Sequence, residues 1–242
     1  MKKNNRRYLL YQMDVNVISI VSIILLIAFV LVVFLIDKGS IYNLVNLINM
    51  NYVVLFISIF GYLVLHELLH SLAYVIYGGK FNKIIYGIEL EKGILYCLCK
   101  QNITKKNILH SLLFPLIIIG VITLIISIMF KLPLLLLLSL FNLSGCSGDL
   151  VMYAFISRLP NDIEFSELDD STSFAIYTDK NISKISHFGI KYIKECNDIS
   201  RKDLEKIKVS KLSKIILIIL IILLIISCLV DLLWVVKKKK NY

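Results

Sequence analysis

His66-Glu67-Leu68-Leu69-His70 lies inside the apolar run from Tyr52 to Tyr77, and that placement decides how the chain is read. A bilayer core of about 30 Å needs about 20 apolar residues of helix. Besides Tyr52 to Tyr77, the stretches Val15 to Ile36, Ile108 to Phe130, Leu132 to Ile156 and Leu212 to Val236 reach that length. With 58% hydrophobic and only 18% charged residues over 242 positions, and a mean hydropathy of +0.80, the chain has too little polar surface for a soluble domain. The expected fold is an all-α polytopic protein of the cell membrane with about five transmembrane helices. Its solvent is the lipid bilayer.

Four segments follow. Residues 1–51 hold a basic start (Lys2, Lys3, Arg6, Arg7), a first helix that reads as a signal anchor, and an external loop; Phe34-Leu35-Ile36-Asp37-Lys38 offers no small-residue cleavage site. Residues 52–157 form the membrane core, 158–211 a charged soluble tail on the cytoplasmic side, and 212–242 a last helix with a basic end. Within the core, Gly78-Gly79 ends a helix, and Ile84 to Ile88 and Ile94 to Leu98 flank Glu91-Lys92-Gly93 as two short strands of a hairpin. The basic start favours a cytoplasmic N-terminus. Five spans then put Lys237 to Lys240 outside, against the same rule, so either one span is miscounted or one end departs from it.

The net charge of +10 does not indicate nucleic acid, because the cations cluster beside apolar runs, where they anchor helix ends against anionic headgroups. Cys97, Cys99, Cys146, Cys196 and Cys228 are odd in number and scattered, which is no disulfide framework. Cys97 and Cys99 miss the metal spacing of C-x-x-C and read as small apolar side chains.

Residues four apart share one helix face. His66 and His70 can therefore grip one metal ion while Glu67, about 100° round the helix, stays near its open position. Chance produces such a pattern in about two of a thousand chains of this composition, and three ionisable groups within five residues of a membrane helix are costly unless they serve a polar site. A catalytic zinc site takes three protein ligands and a water. Asp149, after the small residues Ser144, Gly145, Ser147 and Gly148, is the leading third ligand, and it lies at about the depth of His66 when both are counted along parallel helices. His110 is its rival, and a helix-end aspartate is the plainer reading of Asp149. Asn142 could orient a ligand or meet substrate, or serve only packing between helices. Asp14, Asp37 and Asp231 sit near span ends, and His187 lies in the tail without a ligand pattern.

These residues resemble the bacterial putative zincin peptidase family, once catalogued as a domain of unknown function and distantly similar to the site-2 proteases. The likeness rests on His66 to His70 with Gly78-Gly79-Lys80, on Pro115, on Asn142 to Asp149, on Arg158-Leu159-Pro160 and on Phe174-Ala175-Ile176-Tyr177. It implies a core of three helices with a hairpin between the first two, and a metal held by both histidines and an aspartate on the third. One departure stands out: site-2 proteases carry a glycine after the aspartate, whereas here Gly148 precedes Asp149.

The expected function is a zinc-dependent (Zn2+) intramembrane endopeptidase that cuts a membrane protein or peptide near the cytoplasmic face, with Glu67 as general base. The alternative is a non-catalytic metal-binding membrane scaffold or immunity-type partner. A transporter fits less well, having neither an inverted repeat nor a use for hydrolase spacing.

Overall fold

The computed structural model describes residues 7–89, 94–168, 172–178 and 187–196. The expected fifth span, Leu212 to Val236, and the hairpin turn at Glu91 to Gly93 lie outside these residues, as do Asp231 and Lys237 to Lys240.

Strand β1 (Arg7–Met13) leads into helix α1 (Val15–Ile36), whose cap Asp14 accepts the Asn16 amide. A short α2 (Lys38–Asn43) and a 3-10 turn (Leu44–Asn49) return the chain to α3 (Tyr52–Ile76), capped in the same way by Asn51. Helix α3 ends where Gly78 adopts φ +96° and the Gly79 amide reaches back to the Tyr74 carbonyl at 2.6 Å. A side chain at Gly79 would press its Cβ to 2.8 Å from that carbonyl oxygen, so the pair forms a glycine stop. Strands β2 (Ile84–Glu89) and β3 (Ile94–Cys99) pair antiparallel, with Tyr86 opposite Cys97.

After β4 (Ile103–Thr104), α4 (Lys105–Pro115) passes into a π-helical segment (Leu116–Ile122) and then α5 (Thr123–Met129). Proline has no amide hydrogen, which loosens the ladder there. The Ile119 carbonyl in the wide turn accepts the Tyr62 hydroxyl at 2.5 Å and the Thr123 hydroxyl at 2.6 Å. Helices α6 (Pro133–Gly145) and α7 (Ser147–Ser157) form one span broken at Cys146, where Gly145 and Gly148 flank the turn. Strands β5 (Glu164–Glu167), β6 (Ser173–Thr178) and β7 (Ile190–Cys196) follow.

Four helical stretches are long and apolar enough to cross a membrane: Val15–Ile36, Tyr52–Ile76, Lys105–Met129 and Pro133–Ser157. Their outer faces carry bare apolar side chains, among them Ile23 at 60%, Leu35 at 79% and Phe56 at 68% exposure. An apolar surface of that extent suits lipid rather than water.

The all-α expectation is corrected. A five-stranded antiparallel sheet, ordered β4-β5-β6-β1-β7, caps one end of the bundle. Strand β1, held between β6 and β7, comes from the basic start, while β5, β6 and β7 come from the charged tail. Tyr11 is 1% exposed and stacks on Phe174 at 5.7 Å, with Phe155 of α7 at 4.9 Å. The sheet therefore shares a core with the ends of α4 and α7. Lys105 seals that joint: its buried ammonium donates to the carbonyls of Ser157 and Leu159 and to Asn161 Oδ1, tying off the C-terminal end of α7.

Candidate metal centre

Helix α3 aligns Tyr62, His66, His70 and Tyr74 at intervals of four, so one polar stripe runs down a face that meets α4, α6 and the hairpin. Each group on it finds a partner from another element. Tyr62 takes the Ile119 carbonyl and the Thr123 hydroxyl. His66 Nδ1 lies 2.8 Å from Asn142 Oδ1 on α6, and His70 Nδ1 lies 3.1 Å from the Ser111 carbonyl on α4. A carbonyl oxygen only accepts, so each ring carries its proton on Nδ1 and presents the bare Nε2. Asn142 supports that assignment, since its Nδ2 is turned to Pro115 O and Cys146 Sγ.

The two bare nitrogens converge at 3.1 Å, and Asp149 Oδ2 from α7 lies 3.4 Å from each. Three acceptors thus face one another, an arrangement that a cation would satisfy. Tetrahedral zinc, with bonds of about 2.0–2.2 Å, sets its ligand atoms about 3.3–3.5 Å apart. The two sides to Asp149, at 3.4 Å, match that spacing, and the side between the histidines, at 3.1 Å, is slightly shorter. His66, His70 and Asp149 therefore form a group able to hold a metal ion, and the donor set of two imidazoles and a carboxylate suits zinc.

Depth agrees across the contributing helices. At 1.5 Å per residue, His66 and His70 lie about 15 and 9 Å short of the α3 end at Ile76, Asp149 about 12 Å short of the α7 end at Ser157, and Ser111 about 9 Å past the α4 start. All of these ends adjoin the sheet. The break at Cys146 serves the site as well, because it starts a fresh helix whose first turn carries Asp149.

Glu67 sits beside this triangle, with electrostatic contact to His66, His70 and Asp149, and its carboxylate accepts the Cys97 amide of β3. Tyr86 of β2 bonds to Ser71, one turn further on. The hairpin is therefore laid against the motif helix, with its inner edge at the Glu67 carboxylate.

His110, the rival ligand, stands apart: it is exposed, its Nδ1 donates to the Lys106 carbonyl at 2.6 Å, and its ring tilts over Tyr77. His187 pairs with Arg158. Asp14 and Asp37 sit at the ends of α1, bound to Lys191 and Lys131, whose hydrogen bonds hold both carboxyls below the ordinary aspartate range. Cys97, Cys99 and Cys146 are buried free thiols, and burial pushes that of Cys99 up to about 12.

One cluster goes beyond the sequence expectations. Glu167 of β5 is only 8% exposed; it accepts the Tyr74 hydroxyl at 2.8 Å and the Cys99 amide at 2.6 Å. Burial pushes its carboxyl up to about 7. The available signal was Tyr74 itself, a polar group continuing the His66-His70 interval and requiring an acceptor from elsewhere.

A family model described as "Putative zincin peptidase" matches residues 59–163, while no curated protein and no solved structure matches the chain. The matched stretch holds every group of the triangle, Glu67, Ser111 and Asn142, and stops short of Glu167. Over residues 59–163, the part that builds the candidate metal centre, the chain is similar to the putative zincin peptidase family.

Proposed function

We propose that the chain is a zinc-dependent endopeptidase of the cell membrane that hydrolyses a peptide bond of a membrane protein or peptide within the bilayer, on its cytoplasmic side. The observation that carries this reading is the convergence of three acceptors, His66 Nε2, His70 Nε2 and Asp149 Oδ2, beside the Glu67 carboxylate. When bound there, zinc supplies a Lewis acid that polarises the scissile carbonyl and lowers the pKa of a water to about 7.

The chain's own residues do the rest. Asn142 and the Ser111 carbonyl hold both imidazoles in the tautomer that frees Nε2. Glu67 takes the proton of the attacking water and delivers it to the leaving amide nitrogen, so that water and peptide become a carboxylate and an amine. A helical peptide bond is shielded by its own hydrogen bonds and must be extended before attack. The hairpin, which pairs with no further strand among the described residues, offers an edge for an extended substrate. The order of helix, hairpin, helix and aspartate-bearing helix supports a likeness to site-2 proteases. The depth of about 9–15 Å from the sheet-side helix ends supports cleavage within the membrane rather than above it.

Glu67→Gln tests the mechanism. The variant is expected to keep zinc but to lose cleavage of a co-expressed membrane substrate by at least about a hundredfold, read by immunoblot of the substrate. Unchanged cleavage would overturn the role of Glu67. Wild type that binds zinc but cuts nothing across a membrane proteome would favour a metal-binding scaffold instead.

A further inference from the structure

We propose that the cavity between α4 and α7 binds an anionic phospholipid, its phosphate at Lys106 and His110 and an acyl chain along Leu109 and Leu113. The cavity measures about 550 Å3 and lies on the outer side of α4, where its walls are the first turns of that helix and the last turns of α7. Lys106, Leu109, His110 and Leu113 recur at intervals of three and four, a single stripe about 10 Å long. Polarity falls along it, from Lys106 at the end of the span, past Leu109 and His110, to Leu113 deepest in, as it does along a phospholipid.

Among the described residues no acidic side chain lines the cavity. Lys105 is spent on the α7 carbonyls, but among the described residues the Lys106 ammonium has no acceptor. His110 has committed its Nδ1–H to the Lys106 carbonyl, so its Nε2 donates to a phosphate as the imidazolium. The positive dipole end of α4 adds to the attraction for an anion. Tyr153, half-buried on the α7 wall one turn below Ser157, supplies a ring with a polar tip at the depth where tyrosines meet headgroups. A soluble anion would satisfy Lys106 but leave both leucines and the Tyr153 ring uncovered, so the observations favour an amphiphile. Basic pockets between helix ends commonly hold such lipids.

The test uses full-length protein purified in a neutral detergent. It is titrated separately with dioleoyl phosphatidylglycerol, dioleoyl phosphatidylcholine and glycerol 1-phosphate, and bound molecules are counted by native mass spectrometry. Phosphatidylglycerol is expected to bind in preference to phosphatidylcholine, with glycerol 1-phosphate not binding at matched concentration. Lys106→Ala should weaken phosphatidylglycerol binding about fivefold, the worth of one lysine at a charged surface, while the exposed Lys83→Ala leaves it unchanged. Leu113→Trp, which fills the apolar end, should weaken both lipids alike. Equal affinity for the two lipids, no effect of Lys106→Ala, or the same loss in Lys83→Ala would overturn the site. Glycerol 1-phosphate binding as well as phosphatidylglycerol would overturn the lipid and leave a soluble phosphate ligand.

Discussion

Two buried clusters sit one helical turn apart on the same face of α3, and they are built in opposite ways. At His66, His70 and Asp149, three acceptors point at one another across 3.1–3.4 Å with their protons turned outward to Asn142 and Ser111. At Tyr74 and Glu167, an acceptor meets two donors, the tyrosine hydroxyl and the Cys99 amide. The second cluster is complete within the protein and clasps the motif helix, the hairpin and the sheet together. The first is a group that a cation would complete. The same polar stripe thus carries a place able to bind and a place that holds it to the rest of the fold.

Removing one member from each cluster should break this contrast most plainly. Asp149→Ala takes away the only anionic ligand and leaves two imidazole lone pairs facing each other. Zinc measured by plasma mass spectrometry on purified protein is expected to fall from about one per chain to near zero. Glu167→Gln keeps the shape of the clasp and should leave zinc content unchanged. Equal zinc in the wild type and in Asp149→Ala would show that the acceptors converge without holding metal.

The clasp should show itself in pH. The Glu167 carboxyl titrates near 7 in the folded chain against 4.5 for an ordinary glutamate, so between these values the folded state holds a proton that the unfolded state has lost. Stability from this group is full below about 4.5 and falls as pH rises through 7. A shift of this size corresponds to about 3 kcal/mol. Thermal unfolding in detergent, followed from pH 4.5 to 8, should fall more steeply for wild type than for Glu167→Gln, which cannot ionise. Parallel curves would mean that the carboxyl titrates normally.

Asn142 tests the metal side more gently. Asn142→Ala leaves all three ligands in place but releases the His66 ring from its tautomer. Loss of such an orienting partner typically costs 10–100-fold in metal affinity. Competition with a zinc chelator should show that drop, with unfolding temperature little changed.

How much of this was legible in the sequence depended on the range of the interaction. Spacing four places His66 and His70 on one face, and the apolar run around them names the helix, so the heart of the site can be read in five letters. Asp149 stands out as an ionisable group among small and apolar residues, and the fold brings it to both imidazoles. The hairpin was visible in two β-rich runs around a polar turn. The sheet was not visible, because β1 pairs Tyr11 with Phe174 and Leu9 with Ile176, partners with the whole bundle between them in sequence, and no local pattern encodes that register. Beside a long apolar helix, Tyr8-Leu9-Leu10-Tyr11 reads as part of the anchor. Glu167 was obscured by its neighbours: among Glu164, Asp169 and Asp170 it reads as one more solvated charge, and only the burial of β5 beneath the hairpin and α3 sets it apart.

Tyr74→Phe gives the smallest of these effects and joins the two clusters. It removes one of the two donors to Glu167 and keeps the ring that lies 6.5 Å from the His70 ring. That hydrogen bond favours the charged carboxylate, so its loss should raise the Glu167 pKa above 7 and move the pH-dependent loss of stability upward. Above that pH the cost is about 1–2 kcal/mol, the usual consequence of a buried acceptor deprived of a donor. Zinc affinity should not follow. If chelator competition shows that it does, the clasp and the metal centre are mechanically coupled through the one turn of α3 between His70 and Tyr74, and the division between a holding cluster and a binding cluster fails at that turn.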